Sequence, residues 1–204
     1  MCITYIVEGK LYVNVTNRCS NACDFCIRNN GDGAYGSDSL WLIREPTVEE
    51  ITESIFSHDL TAFPELVFCG YGEPSYRLYD IREVVLVVKA KYPEIKVRIN
   101  TNGHSDLIWQ KNTAPDYEGV FDTVSISLNS PNPKKYNEIC HSRFGEKSHA
   151  SLIEFAQNVK KYVQNTQFSV VKETLTAEEI EECKLISERT GVYLRLRDYI
   201  PPES

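Results

Sequence analysis

The chain has 204 residues, 42% hydrophobic and 25% charged, which is ordinary for a globular protein and excludes a disordered, collagen-like or coiled-coil chain. A net charge of −7 gives it, as a whole, no electrostatic reason to seek nucleic acid or an anionic membrane surface. No apolar run reaches membrane-spanning length, and the opening MCITYIVEGKLY lacks a small-residue cleavage site, so a cytoplasmic protein of one domain, residues 1–204, is expected.

In chain order, Ile3 to Val7 and Leu11 to Val15 flank Glu8-Gly9-Lys10 and predict a hairpin whose second arm is the first main strand. Three cysteines follow, then NNGDGAYGSDS, which reads as a long loop. Thr47-x-x-Glu50 is a capping box opening a helix to about His58. A strand over Glu65 to Cys69 leads through GYGEP to a helix from Asp80 to Tyr92. Ile95 to Asn100 is the next strand, followed by TNG and a short helix near Asp106 to Lys111. Asp122 to Leu128 is a strand, with helical material at Tyr136 to Cys140 and Leu152 to Val163. Gln167 to Lys172 is another strand, and Thr176 with Glu179 caps a helix that Gly191 closes before a last strand, Val192 to Asp198. Six strands alternating with helices indicate βαβ units, a parallel sheet and right-handed crossovers. The chain is shorter than the roughly 250 residues of a complete eight-unit barrel, so six units fit.

The chemistry concentrates at Cys19, Cys23 and Cys26, spaced C-x3-C-x2-C. Three thiols so close cannot all pair with one another, and thiolates are soft ligands for zinc, copper(I) or iron–sulfur clusters. Three sulfurs rather than four leave a coordination position open, as catalytic metal centres do. A zinc loop completed by a distant histidine or cysteine is the alternative at this point, and it would make the chain a zinc-stabilised, non-catalytic binding module. Cys140 and Cys183 lie in helical patterns and read as small buried apolar side chains. The four histidines form no ligand pattern and read as surface or packing residues, His104 being the one placed at a strand end.

With Phe25 directly before its last cysteine, this motif resembles the signature of the radical S-adenosylmethionine (SAM) superfamily. The resemblance implies a partial (β/α)6 barrel and two cofactors, a 4Fe-4S cluster held by Cys19, Cys23 and Cys26, and SAM on the remaining iron. It implies an enzyme in which the cluster reductively cleaves SAM to a 5′-deoxyadenosyl radical that takes hydrogen from a small-molecule or peptide substrate, with flavodoxin or ferredoxin as reductant. Phe25 is expected against the adenine. Gly70, Gly72 and Glu73, in GYGEP, resemble the superfamily segment that positions the SAM amino group, although Tyr71 stands where many members have glycine. Read as residues alone, GYGEP is equally an ordinary turn.

Asn100 and Asn102, in NTNG, and Ser125, Ser127 and Asn129, in SISLNS, follow the next two strands, where the superfamily meets the nucleotide. The first is otherwise an Asn-Gly turn, the second the polar face of a half-buried strand. LYVNVTNRCSNACDFCIRN, FCGYGEP, RINTNG, SISLNSPNPKKYNEIC and FGEK resemble the small TatD-linked radical SAM proteins, which implies a TatD-type hydrolase as partner or pathway neighbour. Alternation along the strands puts Arg98 with Asn100, and Arg195 with Arg197, on faces opposite Val97, Ile99, Leu194 and Leu196. The arginines are expected inward, where each meets an acid such as Glu65, Glu73 or Asp198, or grips an anion: the SAM carboxylate or an anionic substrate.

Overall fold

The structure is a computed structural model describing residues 1–199; positions 200–204 of the expected domain lie outside the described residues. Strands β1 (Thr4–Val7) and β2 (Lys10–Val13) form an antiparallel hairpin, its turn made by Glu8 and Gly9, both at positive φ. From β2 onward every neighbour is parallel: β3 (Glu65–Phe68), β4 (Lys96–Thr101), β5 (Thr123–Ser127), β6 (Asn165–Val171) and β7 (Tyr193–Arg197), in sequential order. Between them run α1 (Val48–Phe56), α2 (Leu78–Lys91), α3 (Ser105–Trp109), α4 (Pro133–Cys140), α5 (Lys147–Val159) and α6 (Ala177–Thr190). This is the expected partial (β/α)6 barrel, a parallel sheet with outer helices and a short N-terminal hairpin.

Both expected capping boxes form, Thr47 with Glu50 and Thr176 with Glu179, each satisfying two otherwise free backbone donors for about 1 kcal/mol. Gly191 takes the left-handed position after α6. The helix expected over residues 152–163 instead starts at Lys147 and stops at Val159. Val163 falls in a turn closed by the Thr166 hydroxyl on its carbonyl, and β6 begins at Asn165.

Strand alternation sorts the side chains. Leu11, Val13, Leu66, Phe68, Val97, Ile99, Val124, Ile126, Phe168 and Val170 are buried against the helices as one core. The opposite face carries Tyr12, Arg98, Asn100, Ser125, Ser127, Ser169, Arg195 and Arg197, and all of these line one cavity of about 450 Å³. Residues of β1 and of β7 meet in that cavity, so the sheet curls. Its end strands, β1 and β7, are not paired to each other, so it does not close. Small inward serines leave the lumen open where larger side chains would fill it. The expected outward packing of the last strand holds for Leu194 but not for Leu196, which is 43% exposed and lies at the cavity wall, because β7 is an edge strand.

Candidate functional site

The cysteine loop leaves the carboxyl end of β2, the side on which parallel α/β proteins bind ligands, and neighbouring segments fix it on both flanks. Towards β3, the Glu73 amide donates to the Arg18 carbonyl (2.7 Å). Towards α4, the Ala22 and Asp24 amides donate to the carbonyls of Cys140 (2.9 Å) and Ile139 (3.0 Å), and Arg143 N–H donates to Ser20 O (2.9 Å). The Arg28 guanidinium donates to Asn21 O (3.1 Å), bringing a positive charge beside all three thiols.

Cys19, Cys23 and Cys26 are free and half-buried; Cys23 packs against the main core, and Ile27, the residue after Cys26, lines the lumen. Burial pushes the Cys19 thiol up to about 12, with the Glu73 carboxylate adding to the rise. Cys23 is raised by its hydrogen bond to the Cys140 thiol and then by burial, and Cys26 by burial. Such thiols lose their protons when a metal takes them. Among the described residues, no three His, Cys, Asp or Glu side chains converge on a single ion position. Three soft thiolates on one loop suit an iron–sulfur cluster, which takes each thiolate on a different iron.

Gly70 and Gly72 are held to glycine by close approaches within the chain itself. A Cβ on Gly70 would collide with the Asn14 side chain, and one on Gly72 with the carbonyl oxygens of Thr16 and, at 2.7 Å, Arg18. These glycines admit the cysteine segment of the same chain. The Glu73 carboxylate is likewise engaged internally: it accepts from Thr101 Oγ1 (2.6 Å), Asn102 N (2.7 Å) and Ser75 N (3.0 Å), and tethers the end of β3 to the end of β4. Its burial raises its pKa while those donors pull the other way. Asn102 turns to the loop, its Nδ2 donating to Ser20 Oγ (2.8 Å) with Cys19 Sγ at 3.9 Å.

Asn100, Ser125, Ser127, Arg195 and Arg197 do come together in the lumen. Asn129 does not continue the line of Ser125 and Ser127. It lies beyond β5 at φ +58, where alternation no longer holds, and its Nδ2 donates to the Cys140 thiol (3.4 Å). Phe25 packs against the main core. Arg98 is buried and inward as expected, paired with Glu65 (3.3 Å) and donating to Tyr12 Oη (3.2 Å), while its Nε has no partner among the described residues. Asp198 pairs with Lys172. Arg195 and Arg197, by contrast, have no carboxylate partner among the described residues.

Sequence reasoning missed Tyr5, Tyr12, Tyr35 and Cys69, which complete the lumen wall. Tyr5 and Tyr12 sit on adjacent hairpin strands with ring centroids 5.4 Å apart, and Tyr5 donates to Cys69 O (3.2 Å). Period-two alternation from Phe68 would have placed Cys69 inward. Beneath the loop lies His104, fully buried, its ordinary pKa near 6.5 pushed down to about 3 by burial. The unfolded chain binds a proton at pH 3–6.5 that the folded chain refuses, so this contribution to stability is complete above pH 6.5 and falls as pH drops towards 3. Urea unfolding at pH 7.5 and pH 5 should therefore show a lower midpoint at pH 5, and His104→Phe should reduce that difference.

A half-open parallel barrel with three cysteines at its carboxyl mouth and a polar lumen defines the class of protein. The radical SAM superfamily model matches residues 13–184, and the chain belongs to that superfamily. Membership carries a 4Fe-4S cluster and SAM as cofactors. In sequence, the chain is 28% identical over 95 residues to 5-amino-6-(D-ribitylamino)uracil–L-tyrosine 4-hydroxyphenyl transferase 1 of Methanosarcina mazei, covering 47% of this chain and 22% of the transferase. In structure it is similar to Streptococcus suis SuiB bound to its precursor peptide SuiA (TM-score 0.66, 16% identity, 93% of this chain and 39% of SuiB). It is also similar to a radical SAM methyltransferase from Sphaerobacter thermophilus (TM-score 0.55, 14% identity, 96% and 68%). The chain thus spans well under half the length of the transferase and of SuiB. No helix among the described residues is long and apolar enough to cross a membrane.

Proposed function

We propose that this chain is a radical SAM catalyst whose lumen accepts an anionic small molecule or peptide segment. The observation that carries the reading is the cysteine loop, fixed on both flanks, which leads through Ile27 into the wall of a polar cavity of about 450 Å³, within the range of ligand sites. Cys19, Cys23 and Cys26 would hold the cluster. Cluster and SAM together supply a 5′-deoxyadenosyl radical by one-electron cleavage, drawn from a flavodoxin- or ferredoxin-type reductant. The chain's own part is to hold substrate in the lumen and keep water from it. Asn100, Ser125 and Ser127 offer hydrogen bonds there, and Arg195 and Arg197 offer charge.

The two β7 arginines give the reading its substrate class. Arg197 is half-buried, and burial lowers its pKa, yet a guanidinium stays charged and is costly without a counter-ion. A carboxylate or phosphate on the substrate, or the SAM carboxylate, would neutralise it by a bidentate contact. A peptide is favoured as one form of that substrate by the fold shared with SuiB, whose structure holds its precursor peptide. The TatD-linked resemblance, and with it a TatD-type hydrolase partner, rests on the motif string alone. Replacing Arg195 and Arg197 together by glutamine should weaken calorimetric binding of SAM, or of succinate as a probe anion, by about tenfold or more, the value of a charged hydrogen bond. A double variant matching wild type with both ligands would remove the anionic assignment.

A further inference from the structure

Two adjacent residues between the first and second cysteines, Ser20 and Asn21, are buried and join a closed polar ring. Ser20 Oγ lies 3.0 Å from His104 Nδ1, and His104 Nε2 lies 3.2 Å from Tyr136 Oη. Tyr136 Oη accepts from Asn21 Nδ2 (3.0 Å), which returns the chain of hydrogen bonds to the loop one residue from its start. Asn102 Nδ2 adds a second bond to Ser20 Oγ (2.8 Å) and its Oδ1 accepts from His104 N–H (3.0 Å). His104 and Tyr136 are fully buried, and the His104 ring is held edge-on by Phe144, centroids 5.7 Å apart.

We propose that the imidazole of His104 is the positioning residue of the cluster site: it locks the Cys19–Cys23 segment to the β4–α3 turn and, through Tyr136, to α4. This rests on the reading that the three cysteines hold the cluster. An imidazole is suited to the post because its ring presents a donor and an acceptor at opposite ends, which a serine and a tyrosine hydroxyl can satisfy in either tautomer. A ligand-bearing loop of irregular backbone has no strand or helix ladder to fix it, so its sulfur positions depend on such side-chain bonds. The ring reaches no thiol, so His104 acts on the cluster through Ser20 and Asn21 and is not itself a ligand. Buried networks of this kind are costly when one member is removed, since the remaining polar atoms lose their partners.

The test compares anaerobically reconstituted wild type with His104→Phe, His104→Gln and, as a control of general destabilisation, Phe155→Leu in α5. Three quantities are measured: iron and sulfide content, the rate of bleaching by an iron chelator, and the low-temperature electron paramagnetic resonance spectrum of the reduced cluster. His104→Phe should lose its cluster to chelator about fivefold to thirtyfold faster, the factor that one or two buried hydrogen bonds carry, with a shifted spectrum. His104→Gln, keeping a donor and an acceptor, should recover much of the difference. Phe155→Leu should lower the melting temperature yet keep the wild-type spectrum and bleaching rate. A folded His104→Phe protein with wild-type spectrum and bleaching rate overturns the proposal while leaving the cysteine assignment intact. A wild type that takes up no iron overturns the assignment itself. Should His104→Phe prove insoluble, Tyr136→Phe takes its place, with faster bleaching expected and an unchanged rate contrary to the proposal.

Discussion

Alanine at Cys23 is expected to abolish SAM cleavage, with 5′-deoxyadenosine falling to background in an anaerobic assay with dithionite, because on the reading above each cysteine is the sole protein ligand of one iron. Alanine at Cys19 or Cys26 should do the same. The fold should survive these changes, since the three thiols are half-buried in a loop and only Cys23 packs against the edge of the core. Cys183→Ala and Cys140→Ala should retain cluster and activity. Cys140 is the more demanding control, because its thiol meets Cys23 and accepts from Asn129 Nδ2. Wild-type deoxyadenosine formation by the Cys23→Ala protein would refute the ligand assignment.

The second large effect is expected at Gly72. An alanine methyl there meets the Thr16 and Arg18 carbonyl oxygens, and backbone on both sides leaves no flexible side chain to move aside. Either the β3–α2 turn or the cysteine loop must shift, breaking the Glu73 N–H to Arg18 O bond that joins them. Overpacking of this kind costs about 1–3 kcal/mol, and the lost hydrogen bond about 1 more. Gly72→Ala should therefore lower the urea midpoint markedly and bring down iron uptake with it. At Gly70 the obstacle is the buried Asn14 side chain, whose Nδ2 is bound to Leu40 O (2.7 Å), so Gly70→Ala should destabilise by displacing that bond. Equal stability of Gly72→Ala and wild type would show that the two segments are not in contact as described.

What was legible in the sequence was what short-range chemistry encodes. The C-x3-C-x2-C spacing, both capping boxes, the Glu8-Gly9 hairpin turn and the βα alternation each depend on residues a few positions apart, and each leads directly to the observed fold. That the arginines line the lumen followed from strand period, but among the described residues only Glu65, of the three acids considered as partners, meets one of them, Arg98. The lumen wall was not legible in the same way. Tyr5, Tyr12 and Cys69 come together because the sheet curls, a property of seven strands jointly and of no single window. Likewise the glycines of GYGEP announced a close approach, but the approach of Gly72 to the Thr16 and Arg18 carbonyls is visible only in the tertiary placement. Asn129 left the line of Ser125 and Ser127 because one left-handed residue after the strand ends the alternation. His104 stood out as the histidine at a strand end, but its partners Ser20 and Tyr136 lie 84 and 32 residues away in sequence.

The most direct test of the central claim is one preparation of the wild-type chain, reconstituted without oxygen and assayed for metal, sulfide and SAM turnover. The expected result is a brown protein with about four irons and four sulfides per chain that forms 5′-deoxyadenosine and methionine from SAM when reduced. A colourless protein holding one zinc ion and leaving SAM intact would contradict it.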